Sequence, residues 1–423
     1  MSLRRKNPAL GRVLKDQLKE IVAAEGLAPR AVLAALEAGS MVCLANLNHA
    51  DVRATLIGQP ARIKVNANIG TSPFSCDVDL EFKKLKAAEA AGAHAVIDLS
   101  TAGDLDAIRR KMLARTRLPL GTVPIYAVAQ RCVAEGRHPA GFAADELIGE
   151  IACQAEQGVD FMTVHCGLTR HGAELATSGG RVLGIVSRGG SILARWMRDN
   201  EAENPLLTRY DEILAIARRH NVVLSLGDGL RPGAGADAGD AAQWDEVIML
   251  GILARRAIEA GVQAMIEGPG HVPLHLVQGQ IQGIKRATHN APLYVLGPLV
   301  ADCAAGYDHI AGAVGGAVAG MAGADFLCYL TPAEHLTLPC LEDVYAGVKA
   351  SLIAAHAAEV ALGRPQAVGR DLAMSQARRD LDWERMEKLA VAPELVRERR
   401  KSHRHEKECA MCGKFCAIRM LAD

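Results

Sequence analysis

The sequence has no excess of either charge: 48 Lys and Arg stand against 48 Asp and Glu. That balance removes the usual electrostatic reason to expect nucleic acid or an anionic membrane as partner. It also has no long apolar run. The basic start Met1-Ser-Leu-Arg-Arg-Lys is followed by no continuous hydrophobic stretch of export type. The longest run free of both charged residues and histidine, Ile310 to Ala324, is mostly Gly and Ala and too short to span a bilayer. There is no even, regularly spaced cysteine set: the eleven cysteines are odd in number, and Cys43, Cys153, Cys166 and Cys328 lie in apolar segments. This argues against a disulfide framework and for a reducing compartment. No single glycine-rich fingerprint dominates, so an open nucleotide-binding sheet has nothing to anchor it. A soluble, cytoplasmic enzyme is expected.

What is present gathers first at the end of the chain, in Glu408-Cys-Ala-Met-Cys-Gly-Lys-Phe-Cys-Ala. Cys409, Cys412 and Cys416 crowd a charged, polar stretch with no apolar run to bury them, so they read as ligands. Structural zinc usually takes four protein ligands, and an ordinary iron–sulfur carrier takes four cysteines per cluster. Three cysteines therefore point to a 4Fe-4S cubane with one iron open. An open iron suits reductive cleavage of S-adenosylmethionine, the protein supplying position and the cofactor the radical. On spacing alone a zinc knuckle completed by His403 or His405 stays open, as does a disulfide with a spare thiol.

With 423 residues, half of them hydrophobic, the chain has room for about two to three domains, or for a barrel of about 250 residues with additions. Residues 12 to 40 read as two amphipathic helices, Val13 to Ala24 and Pro29 to Ala38, where Pro29 suits a first helical position. From about residue 60 a different rhythm begins: a short β-branched run, a Gly-, Ser- or Pro-rich turn, then a helical stretch. The runs are Ile63 to Val65, Ala95 to Leu99, Leu120 to Val123, Phe161 to Val164, Val182 to Val186, Val222 to Leu226, Ala264 to Ile266, Leu293 to Leu296 and Phe326 to Tyr329. Helical patterns include Asp77 to Ala91, Ala144 to Gln157, Asp211 to His220, Glu246 to Ala260 and Val344 to Ala361. Alternation of this kind implies a parallel sheet, and a (β/α)8 TIM-type barrel fits better than an open one. Nine runs exceed eight, so one is a peripheral hairpin or no strand at all. Three domains are expected: an N-terminal helical segment over 1–60, the barrel over 61–365, and a C-terminal helical arm over 366–423, helical from Asp371 to Ala392 and then densely charged, that carries the cysteines.

Most runs end in residues too polar for a core, and in a barrel the carboxyl ends of all strands open on one face, where active sites are built. Arg188 and Arg231 lie in glycine-flanked loops suited to bidentate capture of phosphate or carboxylate. Ser187, Gly189 and Gly190 can add backbone donors. The alternative is that an arginine simply pairs with Asp228 or Glu267. His271 and His335, with Glu267 and Glu334 nearby in sequence, could bind one divalent metal or serve as hydrogen-bonded site histidines. Asn68, Tyr126, His165, Tyr294 and His309 are site or core.

At this point the residues match a family. Asn66-Ala-Asn-Ile-Gly-Thr-Ser, Gly121-Thr-Val-Pro-Ile-Tyr, Gly184-Ile-Val-Ser-Arg-Gly-Gly-Ser, Ser225-Leu-Gly-Asp-Gly-Leu-Arg-Pro-Gly, Glu267-Gly-Pro-Gly-His-Val-Pro, Gly306-Tyr-Asp-His-Ile and the Cys409–Cys416 tail occur in order. From about residue 12 onward the chain resembles the phosphomethylpyrimidine synthase (ThiC) family. The resemblance implies a radical S-adenosylmethionine lyase acting on 5-aminoimidazole ribotide, a (β/α)8 barrel with a cluster arm, an external low-potential electron donor, and a homodimer. It implies that Asn68, Ile97, Tyr126, His165, Ser187, Arg188, Gly189, Asp228, Gly229, Leu230, Arg231, Glu267 and Tyr294 bind the ribotide. His271 and His335 would hold zinc or a similar metal, and Cys409, Cys412 and Cys416 the cluster.

Four positions depart from the family pattern. Ile97 stands where a substrate-contacting Met is usual, Ala102 for Gly, Ala127 for Gln and Ala305 for Pro. Ile keeps the bulk of Met but loses a polarizable thioether. A relative, 5-hydroxybenzimidazole synthase of anaerobic cobalamin lower-ligand synthesis, uses the same ribotide, cluster and cofactor. It stands as the alternative activity, beside an inactive ribotide- or metal-binding paralogue and a zinc-dependent hydrolase on the same barrel.

Overall fold

The computed structural model describes residues 3–420. The chain divides into two compact units, Met1–Ala355 and His356–Asp423. After a short helix, Leu3–Lys6, the first carries helices Pro8–Glu25 and Pro29–Ala38, each with proline in its first turn and a left-handed glycine, Gly26 or Gly39, after its last. Leu10, Val13, Leu14, Ile21 and Val22 recur at helical spacing and are buried together with Val32 and Leu36. An antiparallel hairpin then follows, β1 (Val42–Leu44) with β2 (Thr55–Ile57). It lies inside the stretch expected to be helical, and three-residue strands give too short a pattern for alternation to reveal.

Eight further strands close the expected barrel: β3 (Lys64–Ile69), β4 (Ala95–Asp98), β5 (Leu120–Thr122), β6 (Phe161–Val164), β7 (Val223–Leu226), β8 (Ala264–Glu267), β9 (Leu293–Leu296) and β10 (Phe326–Cys328). Each is parallel to the next, and β10 returns to β3, with Phe326 opposite both Lys64 and Tyr294. The strands are buried along nearly their whole length, as a helix-covered parallel sheet requires. With only six Phe and six Tyr in the chain, a few rings fill the axis. Phe161 and Phe326 meet edge to face at 6.3 Å, and Tyr294 lies 4.5 Å from Phe326. Gly121 makes the room, since a Cβ there would fall 2.2 Å from the Phe161 ring. At the amino ends of the strands Asp160 accepts from the amides of Asn46 and Leu120 and pairs with His49 at 2.7 Å. That one buried carboxylate ties the N-terminal segment to β5.

The ninth run, Val182 to Val186, is not a strand. It forms the irregular approach to helix Arg188–Asp199. Val182 and Leu183 are 69% and 54% exposed, Gly184 is left-handed, and the amides of both exposed residues donate to Asp237 instead of a neighbouring strand.

In the second unit the expected helix from Asp371 to Ala392 is broken. Helices Pro365–Arg379, Trp383–Leu389 and Pro393–Arg400 replace it. The first break has Leu381 at φ 52°, and Asp382 then caps the next helix by accepting from the Arg385 amide. Among the described residues no helix is long and apolar enough to cross a membrane.

Candidate active site

The carboxyl ends of the strands surround a cavity of about 340 Å³. Its wall brings together Asn68, Ile97, Tyr126, His165, Arg188, Asp228, Arg231, Glu267, Tyr294, His271 and His335, residues spread over more than half the chain. Ser187, Gly189, Gly229 and Leu230 stand behind that wall. Leu230 is wholly buried, with its side chain against Gly172. Of the four departures from the family pattern only Ile97 lines the cavity.

The deepest layer is a set of side-chain hydrogen bonds between strands. The Asn66 amide nitrogen donates to the Tyr294 hydroxyl at 2.8 Å and to Asn68 Oδ1 at 2.8 Å. Asn68 in turn donates to Cys328 Sγ at 2.9 Å. Across the barrel, Glu267 Oε1 accepts from Thr163 at 2.6 Å and Ser225 at 2.9 Å. A carboxylate held by two hydroxyls on two other strands has little freedom to rotate. Burial pushes the Cys328 sulfur up to about 12, so it stays a thiol.

His165 follows β6 and is wholly enclosed. Burial, reinforced by the charge of Arg231, lowers it to about 3, so the ring is neutral. Its Nε2 lies 3.2 Å from Ser187 Oγ, which also caps helix Arg188–Asp199 by accepting from the Gly190 amide. The glycines beside it are steric necessities. A Cβ on Gly189 would fall 2.2 Å from the His165 ring, and one on Gly190 2.5 Å from the Gly229 carbonyl oxygen. Two loops thus meet backbone to backbone, and the start of a twelve-residue helix faces them with first-turn N–H groups that have no intrahelical partner.

Arg188 lies 4.6 Å over the Tyr126 ring, a geometry that fixes a guanidinium plane. Arg231 pairs with Asp228 at 2.9 Å, the pairing that its sequence spacing left open. Burial raises Asp228 to about 8, with Glu267 adding to the rise and Arg231 opposing it. Behind this loop is a residue the sequence reading did not single out as a site residue. Glu246, fully buried, accepts from the Leu230 amide at 2.7 Å. Burial holds its carboxyl well above the usual range. Glu334, also on the cavity wall, is likewise raised, chiefly by burial.

His271 and His335 face each other with ring centres 5.3 Å apart. Two imidazoles sharing one ion through bonds of about 2.0–2.1 Å at a tetrahedral angle have centres roughly 5 Å apart, so the pair fits a common metal. Their carboxylate partners are not the neighbours in sequence. Asp302 takes His271 Nδ1 at 2.8 Å and the Gly235 amide at 2.8 Å, and Asp308 lies 3.9 Å from His335 Nδ1. Among the described residues no third His, Cys, Asp or Glu joins them. His309 stacks on Tyr307 at 6.3 Å and does not line the cavity.

In the second unit the cysteines lie on a tight, turn-rich segment, with the Gly413 amide donating to the Cys409 carbonyl and Gly413 itself left-handed. The amides of Cys412 and Met411 donate to the Cys409 sulfur and hold it below the usual thiol value. Those donors favour a thiolate, the form that binds metal. His405 accepts from Arg404 and is not gathered with the cysteines.

Fold and site together define a (β/α)8-barrel enzyme with two arginines and a pair of facing histidines on its cavity wall and three cysteines in its tail. The chain belongs to the Radical SAM ThiC family, whose model matches residues 6–423. It is 50% identical over 408 residues to a phosphomethylpyrimidine synthase of Moorella thermoacetica, covering 96% of this chain and 94% of that protein. It is 47% identical over 415 residues to phosphomethylpyrimidine synthase 2 of Syntrophotalea carbinolica, covering 97% and 96%. A phosphomethylpyrimidine synthase of Methanopyrus kandleri is 48% identical over 415 residues, with 97% of each chain covered.

Proposed function

We propose that this chain is a radical S-adenosylmethionine enzyme that rearranges 5-aminoimidazole ribotide to 4-amino-5-hydroxymethyl-2-methylpyrimidine phosphate in thiamine biosynthesis. The observation that carries the reading is near-half identity over almost the whole length of relatives bearing that activity in their names, with the cavity residues and all three tail cysteines in place.

Cys409, Cys412 and Cys416 would hold a 4Fe-4S cluster, which when bound supplies the electron that cleaves S-adenosylmethionine to a 5′-deoxyadenosyl radical. The chain's own residues bind and orient. Arg188, fixed against Tyr126, and the first-turn amides of helix Arg188–Asp199 form the anion-binding side of the cavity and take the ribotide phosphate. Asp228 and Arg231 form a buried pair on the adjoining wall. Asn68, Glu267 and Tyr294, locked by bonds between strands, supply donors and acceptors to the imidazole and ribose. Neutral His165 fixes Ser187 at the helix start. His271 and His335 hold zinc or a similar divalent ion.

A homodimer and an external low-potential electron donor complete the reading, with the cytoplasm as location. Ile310, Val314 and Met321, exposed on one face of helix Asp308–Ala322, support a self-association surface. The free state of all eleven cysteines supports the reducing compartment.

The test is anaerobic reconstitution with iron and sulfide, addition of S-adenosylmethionine, reductant and 5-aminoimidazole ribotide, and mass spectrometry of the product. A phosphorylated hydroxymethylpyrimidine is expected. Hydroxybenzimidazole would overturn the product assignment and turn attention to Ile97. A Cys412→Ser variant that kept full activity would sink the radical mechanism.

A further inference from the structure

The carbonyls leading into the first tail cysteine are held by side chains from elsewhere in the second unit. Trp383, the first residue of helix Trp383–Leu389, donates its indole N–H to the Lys407 carbonyl at 2.9 Å. Arg400, the last residue of helix Pro393–Arg400, donates from Nη2 to the Glu406 carbonyl at 2.7 Å and from Nη1 to the Glu408 carbonyl at 3.0 Å. Three consecutive carbonyls, of Glu406, Lys407 and Glu408, therefore point at two side chains. Arg400 is itself seated on Trp383, its guanidinium 3.8 Å from the ring centre. Its Nε is buried and has no partner in the described structure. Arg419 pairs with the Glu408 side chain from beyond the last cysteine.

The segment from Arg404 to Glu408 has no regular secondary structure, so its carbonyls have no ladder partners and take side-chain donors instead. Arginine is suited to the task because its guanidinium is planar and can stack while donating from two nitrogens. Tryptophan is equally particular: the chain has three, and this one uses both its face and its single donor.

We propose that Trp383 and Arg400 are positioning residues that fix the entry to the cysteine loop, so that Cys409, and through it Cys412 and Cys416, are presented in one geometry to the cluster. This rests on the cluster reading above. The clamp acts on the polypeptide rather than on the metal, so it exists in the unloaded protein as well. The cost of losing it is borne by cluster affinity, as when the partners that orient metal ligands are removed.

The experiment uses the full-length protein with Arg400→Lys and Trp383→Phe. The first keeps the charge and loses the fork; the second keeps the ring and loses the donor. In the unloaded protein, backbone amide exchange over Lys407 to Cys416 should quicken in both variants, with the thermal midpoint of the barrel unchanged. After anaerobic reconstitution, iron retained per chain against a chelator should fall, with an apparent affinity loss of roughly 10-fold, and the reduced-cluster electron paramagnetic resonance signal should broaden or shift. Wild-type exchange and wild-type iron retention in both variants would overturn the clamp. Cys412→Ser serves as the separate control: if it also keeps a full cluster, the cluster assignment fails, while quickened exchange in the two clamp variants still upholds the clamp.

Discussion

Ser187 Oγ lies 3.2 Å from Nε2 of His165, and this single contact links the end of one barrel strand to the first turn of a helix that points at the cavity. The histidine side of the contact has a pH signature. His165 titrates at about 3 in the folded chain against its usual 6.5, so the unfolded chain takes up a proton first as the medium is acidified. Its contribution is complete above about pH 6.5 and is lost as the pH falls toward 3. Chemical unfolding followed between these values should show wild-type stability declining more steeply than that of His165→Gln. Parallel curves would mean that the ring takes up its proton as readily in the folded chain as in the unfolded one.

Gly189 is the other wall of the histidine slot. A methyl group there must displace the His165 ring, so Gly189→Ala should destabilise the protein by about 1–3 kcal/mol, the usual cost of overpacking. It should also raise the Michaelis constant for the ribotide by disturbing the helix start. Gly180→Ala is the control, since a Cβ there meets nothing within 4 Å. Equal melting temperatures for the two variants would refute the steric argument.

Asp302 holds His271 through Nδ1, so the ion proposed above would bind at Nε2. Asp302→Ala should weaken zinc binding about 10- to 100-fold, as loss of such a partner usually does, with little change in melting temperature because the carboxylate is half exposed. Titration calorimetry with zinc measures this directly. Unchanged affinity would remove Asp302 from the site. Prolonged dialysis against a chelator should leave the barrel folded, because the two histidines sit at its mouth and its core is packed without them.

Much of this architecture is legible in the sequence because its causes are local. A short β-branched run with a polar, glycine-rich end marks Phe161–Val164 and Leu293–Leu296 with the bounds observed, since burial on both faces selects those residues. Val182 to Val186 is similarly apolar, yet forms no strand and leaves Val182 and Leu183 exposed, because composition does not say whether a neighbouring strand exists. The site divides in the same way. Arg188, Arg231, His271 and His335 stand in motifs that announce themselves. Asp302 and Glu246 do not, since each acts on a loop that only the folded barrel brings to it. Cys328 reads as one more buried apolar cysteine, and only the register of β10 against β3, with Cys328 opposite Asn66, brings it to the cavity.

Glu246 allows the sharpest separation of charge from shape. Its Oε2 accepts from the Leu230 amide at 2.7 Å, inside the loop that carries Asp228 and Arg231. Burial holds the carboxyl well above its usual range, and its Oε2 acts as a hydrogen-bond acceptor. Glu246→Gln keeps an acceptor of the same length and should lie close to wild type in stability and in ribotide affinity. Glu246→Ala leaves a buried N–H with no acceptor, at a cost of about 1–3 kcal/mol, and opens a cavity under the loop. Ribotide affinity should then fall, measured by calorimetry on the unreduced enzyme so that no chemistry intervenes. If the glutamine variant proved as damaged as the alanine one, charge at Glu246 and not its hydrogen bond to the Leu230 amide would be what braces the loop.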